Sequence, residues 1–278
     1  LFKPKEYWEI LISLKEKNGK KIDCSISVHG TKRINKFSFE NKVAAEKVIE
    51  QIKKENFFIN NIIKKEKKRN PYSPFSNSLL LQDSSSKLGF SPKYTNRLAQ
   101  ELKDGIGSLG ALITYHRTDS NIMKKDEIMN LRNLIRSDLG NDYLSIQENI
   151  FKERAKFVQQ GHEAVTPIDL NKKPEEIKNS LSTDQFKLYD LIWKRTIASQ
   201  MSPSISLETT LWIKSQNFLL KASGNIPKFS GFKKIYNYSE QKEDAQNLPE
   251  INKDETLFLD KIDSKQNFTK PPNRYSEA

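Results

Sequence analysis

The chain has 278 residues, and its 47 Lys or Arg against 35 Asp or Glu give it a formal net charge of +12. An acidic protein is excluded, and partners that carry phosphate are the first class to consider. Only nine of the basic residues are Arg, so the total charge is weak evidence for any particular site.

Two further counts narrow the class of protein. Hydrophobic residues make up 36% of the chain, which is enough for a packed core and excludes wholesale disorder. The single cysteine, Cys24, excludes a disulfide framework and a metal cluster built from cysteines. No apolar run approaches the ~20 residues that cross a bilayer. We therefore expect a folded cytoplasmic protein with no membrane partner.

The first third of the chain is predicted to form three strands and one helix. Apolar residues alternate with polar ones at residues 8–12 and 22–26, and a weaker pattern follows at 34–39. A helix is predicted to start at Asn41 and to end near Asn56, because its apolar residues recur at helical spacing. These apolar residues are Ala45, Val48, Ile49 and Ile52.

A change of composition near residue 70 indicates a domain boundary. Residues 64–70 read Lys-Lys-Glu-Lys-Lys-Arg-Asn and are followed by Pro71 and Pro74. Such a run is typical of a solvated linker, although it could also contact phosphate groups. We favour the linker, because blocks of like charge are usually connectors or tails.

Helices are predicted beyond this boundary, and strands return after Pro203. Ser91 and Pro92 form an N-cap and N1 pair, residues 126–139 have helical apolar spacing, and Thr183 is predicted to cap another helix. Later strands are predicted at residues 208–213, 218–222, 233–238 and 256–262. The order indicates an α+β, multi-domain chain in which a helical domain, 73–203, is inserted into a discontinuous β-rich domain, 5–72 and 204–268.

The most informative stretch is residues 110–120, in which an apolar run ends abruptly in consecutive polar side chains. Tyr115 offers a phenol of pKa ~10 that becomes a strong nucleophile when it loses its proton. Arg117 has the fork of donors that fits a phosphate. On residue chemistry alone, a tyrosine at the end of a strand is more often part of a core.

Residues 113–120 read Ile-Thr-Tyr-His-Arg-Thr-Asp-Ser and closely resemble the active-site segment of type IA DNA topoisomerases, which is commonly Ile-Thr-Tyr-Met-Arg-Thr-Asp-Ser. Other motifs extend the resemblance over essentially the whole chain. Residues 161–167 resemble the family's His-Glu-Ala-Ile-Arg-Pro, and residues 2–8 and 267–278 resemble the two ends of its arch. The Phe-Ser-Gly-Phe stretch at 229–232 is closer to the bacterial topoisomerase I branch than to the topoisomerase III branch.

The resemblance implies an arch, a mainly β gate domain with an inserted, mainly α domain that carries the active-site tyrosine. Tyr115 would attack a single-strand phosphodiester and hold the 5′ end as a phosphotyrosine. Arg117 would stabilise the scissile phosphate. His162, Thr118 and Ser120 would bind DNA or its phosphates. Residues 1–4 and 269–278 would be stubs of an adjoining domain.

The same resemblance implies the cofactor and the partners. Mg²⁺ would be bound by a TOPRIM domain upstream of this segment, not by this chain, and no ATP would be needed. The partners would be single-stranded and negatively supercoiled DNA in the bacterial nucleoid, with the protein most simply a monomer. Because the chain starts with a Leu, we expect a fragment. Because the resemblance places the Mg²⁺-binding half of the site in the upstream domain, we expect this fragment to be inactive alone.

Two departures from the family pattern leave room for other functions. His116 stands where the family usually has Met, and Thr166 stands where it usually has Arg. The alternative function is a non-catalytic scaffold of the same fold that binds single-stranded nucleic acid. A tyrosine-recombinase-like enzyme, with a 3′ phosphotyrosine, would need several catalytic Arg residues, which this Arg-poor chain does not suggest.

Overall fold

The computed structural model describes residues 2–151, 163–238, 246, 248–273 and 275, which fall into two compact units. The sheet unit comprises Leu1–Lys67, Ser206–Lys228 and Glu240–Arg274. The helical unit comprises Lys68–Ile205, Phe229–Ser239 and Tyr275–Ala278. Each unit has its own hydrophobic core. The chain therefore has the α+β composition that the sequence predicts.

Seven strands lie within the described residues. They are β1 (Glu6–Lys15), β2 (Lys21–His29), β3 (Lys32–Arg33), β4 (Phe57–Arg69), β5 (Ser204–Lys214), β6 (Phe218–Phe229) and β7 (Thr256–Phe268). Their order in the sheet is β1-β7-β4-β5-β6-β2-β3. Because β1 also pairs with β2, six strands form a closed circuit, and the two-residue β3 lies outside it.

The pairing of β1 with β7 brings together strands from distant parts of the sequence. It is antiparallel and runs from Glu6 opposite Phe268 to Lys15 opposite Phe258. Just beyond it, Thr269 donates its backbone N–H to the carbonyl oxygen of Lys5 at 2.9 Å, and its hydroxyl accepts from the Lys5 N–H at 2.8 Å. The two segments that border the sheet unit are thus hydrogen-bonded to each other.

One helix, α1 (Lys42–Ile52), packs against β1 and β7. The side chain of Asn41 accepts a hydrogen bond from the Ala44 N–H at 2.9 Å, so the predicted helix start is confirmed. The predicted alternation along β1 is also confirmed, since Ile10 and Ile12 both point into the core.

The predicted linker at residues 64–70 is wrong for most of its length. Strand β4 continues to Arg69, with nearly all of its charged side chains exposed. A strand is held by its backbone hydrogen bonds, so its exposed side chains can be charged without breaking it. The predicted strand at 34–39 is also wrong, because β3 covers only Lys32–Arg33.

The helical unit contains α2 (Asn77–Leu88), α3 (Pro92–Asp104), α4 (Lys125–Leu139), α5 (Pro174–Ile177) and α6 (Thr183–Ser199). The Ser91 side chain caps α3 with Pro92 as its first residue, as predicted. The N-cap of α6 is Ser182 rather than Thr183, in a capping box with Gln185. Helix α6 is the most buried of these helices and supplies much of the core.

The predicted strand at residues 233–238 is wrong, because the chain forms a 3-10 helix at Gly231–Lys234. Gly231 has a φ of 50°, and a Cβ added there would lie 2.3 Å from the carbonyl oxygen of Pro203. Only glycine fits this close approach of two backbone segments. Phe232 and Tyr236 then pack into the helical core.

These contacts explain one difference between the compact units and the predicted domains. Residues 229–239 lie inside the range 204–268 that was assigned to the β-rich domain, yet they belong to the helical unit. The local pattern of apolar residues could not show this, because the contact with Pro203 is long-range in the sequence.

Candidate functional site

The segment that carries Tyr115 is anchored in the core of the helical unit. Leu112 and Ile113 are almost completely buried. The Leu112 N–H donates to the carbonyl oxygen of Leu102, in the last turn of α3, at 2.8 Å, and the Leu112 carbonyl accepts from the Ile168 N–H at 3.0 Å. The apolar run is therefore a short buried strand-like segment, and the polar residues follow where it reaches the surface.

Exposure alternates along this polar stretch. The exposed side chains are those of Tyr115, Arg117 and Asp119, and the buried ones are those of His116, Thr118 and Ser120. Tyr115 is 51% exposed, a large fraction for an aromatic side chain. Tyr115 and Arg117, two residues apart, are therefore both accessible to solvent.

The buried hydroxyls stabilise the turn that follows. The Thr118 Oγ1 accepts a hydrogen bond from the Ser120 N–H at 3.1 Å, and the Ser120 Oγ accepts from the Ile122 N–H at 3.2 Å. The Thr118 carbonyl also accepts from the N–H of Asn77, the first residue of α2, at 2.7 Å. Both side chains thus have backbone partners, and contact of Thr118 and Ser120 with DNA stays a prediction.

A second motif, at residues 163–167, is hydrogen-bonded to the first. Thr114 donates its N–H to the carbonyl oxygen of Thr166 at 2.9 Å and its hydroxyl to the carbonyl oxygen of Ala164 at 2.8 Å. The same hydroxyl accepts from the Thr166 N–H at 3.0 Å. His162, which precedes this motif, lies outside the described residues. The two stretches that the sequence singled out are therefore adjacent in space.

Thr166, which replaces the family's usual Arg, is buried beside Thr114. A charged side chain directed inward at this position would need a buried partner. The small hydroxyl side chain avoids that requirement.

A charged cluster beside the second motif was not predicted from the sequence. Glu163 forms an ion pair with Lys124, which precedes α4. Burial, together with the negative charge of Glu163, raises the pKa of Glu127 in the first turn of α4. The only sequence signal for this cluster was Glu163 itself, within its motif. Lys124 and Glu127 lie about 40 positions earlier in the chain, so no local pattern connects them to it.

His116, between the exposed residues Tyr115 and Arg117, is completely buried. Burial, reinforced by the positive charges of Arg117 and Lys103, lowers the pKa of its imidazole, so the ring is neutral at neutral pH. Neither ring nitrogen has a hydrogen-bond partner among the described residues. The Tyr115 ring lies beside it, with 5.8 Å between the ring centroids.

The described residues include no group of three or more His, Cys, Asp or Glu side chains placed to hold a metal ion. They therefore offer no fit for the Mg²⁺ that the resemblance implies. In the same part of the chain, no helix is both long and apolar enough to cross a membrane.

Comparison with known proteins decides the family. A family model described as DNA topoisomerase matches residues 1–278, the whole chain. The chain belongs to the DNA topoisomerase family. DNA topoisomerase 1 of Rickettsia bellii is 38% identical over 286 residues, which cover 100% of this chain and 36% of that protein. DNA topoisomerase 1 of Campylobacter jejuni is 35% identical, with 100% of this chain and 39% of that protein covered.

A solved topoisomerase structure confirms the fold. Full-length topoisomerase I from Thermotoga maritima matches with a TM-score of 0.77 and 28% sequence identity, covering 99% of this chain and 42% of that one. The predicted resemblance to bacterial topoisomerase I and the type IA fold are thereby confirmed. The chain spans well under half the length of these topoisomerases.

Proposed function

We propose that this chain carries the DNA-cleaving tyrosine of a type IA topoisomerase. Tyr115 is the nucleophile that opens one DNA strand and holds its 5′ end while another strand passes. The observation that carries the proposal is the exposure of both Tyr115 and Arg117 at the end of a segment that is anchored in the core.

The chemistry is a reversible exchange of one phosphodiester for another. The phenolic oxygen of Tyr115 forms a bond to phosphorus while the bond from phosphorus to the 3′ oxygen breaks. The phenol loses its proton, and the departing 3′ oxygen gains one, so the strand ends in a free 3′ hydroxyl. The reverse step reseals the strand, and no ATP is needed because the phosphotyrosine bond retains the energy of the broken one.

Arg117 is suited to stabilise the phosphate during this exchange. Negative charge develops on the phosphate oxygens in the transition state, and a fixed guanidinium near them lowers its energy. Arg117 is exposed and forms no ion pair with any described residue, so its donors are available to a phosphate.

Proton transfer requires groups from outside the described part of this chain. No described carboxylate or imidazole is hydrogen-bonded to the Tyr115 hydroxyl. We therefore place the proton acceptor, and the residues that hold Mg²⁺, in another part of the longer protein. When bound, Mg²⁺ would offset the negative charge of the DNA phosphates.

The proposed activity of the longer protein is relaxation of negatively supercoiled DNA in the bacterial cytoplasm, by a monomer acting on single-stranded regions. His162 would contact phosphate, and Thr118 and Ser120 would support DNA binding. This chain alone would not cleave DNA. The competing proposal is a scaffold that binds single strands without cutting them.

The decisive experiment compares the longer protein with its Tyr115→Phe variant. The unsubstituted protein is expected to relax negatively supercoiled plasmid with added Mg²⁺ and to form a 5′-phosphotyrosyl adduct with a labelled single strand. Tyr115→Phe should abolish both and keep strand binding. The matched control is Tyr143→Phe, which loses one hydroxyl contact to Ser230 in the same unit and should leave relaxation intact.

Three results would contradict the proposal in different ways. An adduct formed by Tyr115→Phe would exclude this tyrosine as the nucleophile. Strand binding without relaxation or adduct in the unsubstituted protein would favour the scaffold. Efficient relaxation by the 278-residue chain alone would show that no outside groups are needed.

A further inference from the structure

A cavity in the helical unit is lined by α4 and by residues 166–171, and we call it the α4 pocket. Its volume is about 590 Å³, within the usual range of small-molecule sites. Helix α4 contributes Glu127, Asn130 and Leu131, among other residues. The pocket therefore combines polar groups with apolar ones, as binding sites for small molecules do.

The charged side chains that line the α4 pocket are negative. Among the described residues, its lining includes the carboxylates of Glu127 and Asp169 and no Lys or Arg, although the whole chain has a net charge of +12. Neither carboxylate forms an ion pair with a residue that the structure describes. Burial and the negative charge of Glu163 raise the pKa of Glu127, so a cation beside it would favour its charged form.

Thr166 also indicates a ligand at this position. It lines the pocket and is only 3% exposed, and its hydroxyl forms no hydrogen bond within the described part of the chain. A buried hydroxyl without a partner costs free energy, which a ligand that donates a hydrogen bond to it would recover. Because the family usually has Arg here, this chain lacks a guanidinium that would extend from this position.

The remaining lining favours an organic cation over a metal ion. Leu131 and Pro167 are buried and, together with Met123, give the pocket an apolar part that suits a chain of methylene groups. Asn130 and Asn171 add amide oxygens that can accept hydrogen bonds from N–H donors. A metal site made of three or more His, Cys, Asp or Glu side chains does not occur among the described residues.

We propose that the α4 pocket binds a small organic cation, an alkyl guanidinium or alkyl ammonium compound of the polyamine class. The cationic group lies against Glu127 and Asp169. Its methylene chain lies along Leu131 and Pro167, and the Thr166 hydroxyl accepts one of its N–H donors.

The pocket is connected to the segment that carries Tyr115. The Thr166 carbonyl accepts from the Thr114 N–H at 2.9 Å, and the Thr166 N–H donates to the Thr114 hydroxyl at 3.0 Å. Thr114 immediately precedes Tyr115, so a ligand held against Thr166 would support this segment from within the helical unit. Binding in the pocket requires neither DNA nor the Tyr115 hydroxyl.

The test is calorimetric titration of the 278-residue chain with agmatine, a four-carbon alkyl guanidinium that also carries an ammonium group, at low ionic strength. The probe variant is Glu127→Gln with Asp169→Asn, which keeps the shape of both side chains and removes their charges. The matched control is Asp142→Asn with Glu148→Gln, which removes the same charge from exposed positions outside the pocket.

The unsubstituted chain and the control should each bind one agmatine with similar affinity. The probe variant should bind at least about tenfold more weakly, because it replaces charge-assisted hydrogen bonds with neutral ones of about half the strength. Circular dichroism checks that both variants are folded. Equal weakening in probe and control would overturn the proposal, and so would the lack of saturable binding to the unsubstituted chain.

A second measurement locates the ligand through a native side chain. The chain has three methionines, of which Met123 lines the pocket, whereas Met129 and Met201 do not. With carbon-13 in the methionine methyl groups, agmatine should shift the Met123 signal in NMR spectra and leave the other two in place. An unchanged Met123 signal, or equal shifts of all three, would contradict binding in this pocket.

Thr166→Arg tests the same pocket with a guanidinium attached to the chain. The variant should no longer bind agmatine, and its thermal unfolding midpoint should reach at least that of the unsubstituted chain saturated with agmatine. A folded Thr166→Arg variant that binds agmatine with full affinity would refute the proposal. If this variant does not fold, the charge variants and the Met123 signal decide the question without it.

Discussion

Replacing His116 with Met, the usual family residue, should stabilise the helical unit. The His116 ring is completely buried, and neither nitrogen has a hydrogen-bond partner among the described residues. An unsatisfied buried polar group costs about 1–3 kcal/mol. Met removes these polar atoms and adapts to irregular space, at a packing cost below about 1.5 kcal/mol. We expect a net gain of about 1 kcal/mol in the free energy of unfolding.

This gain should depend on pH. The pKa of folded His116 lies below its ordinary value of 6.5, so between the two values the unfolded chain binds more protons than the folded one. Stability therefore falls as pH decreases below about 6.5, and the Met variant lacks this contribution. The difference between His116→Met and the unsubstituted chain should be larger at pH 5.5 than at pH 8.

Urea unfolding followed by circular dichroism at both pH values would measure the effect. His116→Gln is the matched control, since it keeps polar atoms on an unbranched side chain of similar length. If the His116→Met variant is no more stable than the His116→Gln variant at pH 8, the ring nitrogens of His116 have hydrogen-bond partners, for example a buried water. A gain that is identical at both pH values would refute the titration of His116.

Three other predictions test the packing. Gly231→Ala should destabilise the chain by about 2–4 kcal/mol, because φ is positive and the new methyl group meets the Pro203 carbonyl; thermal unfolding measures this, and an unchanged midpoint would contradict it. Asp83→Ala leaves the buried Arg195 guanidinium without its carboxylate and should cost about 3–5 kcal/mol; a loss under 1 kcal/mol in urea unfolding would show that the pair contributes little. Burial raises the pKa of the Cys24 thiol, so iodoacetamide at pH 8 should label Cys24 slowly in the folded chain and rapidly in urea; equally fast labelling would mean that the thiol is accessible.

The features that the sequence predicted correctly depend on short-range patterns. Asn41 and the Ser91–Pro92 pair identify helix starts because capping needs only a few consecutive residues. The exposure of Tyr115 and Arg117 also follows locally, from an apolar run that ends in polar residues. Family resemblance then supplied the chemical roles that pattern alone left open.

The features that the sequence did not predict depend on contacts between distant segments. The charged residues at the end of β4 lie in a strand because β4 is hydrogen-bonded within the sheet between β7 and β5, and composition does not report backbone pairing. The chain after Gly231 joins the helical unit through its approach to Pro203.

The hydrogen bonds between Lys5 and Thr269 have a consequence for how the sheet unit is connected. The backbone just before β1 and the backbone just after β7 are held side by side at this point, so the pairing of the two strands extends beyond their ends. For the same reason, a short peptide could join residues 2 and 273 in a circular permutant, with new ends opened at an exposed turn elsewhere, without breaking any strand of the circuit.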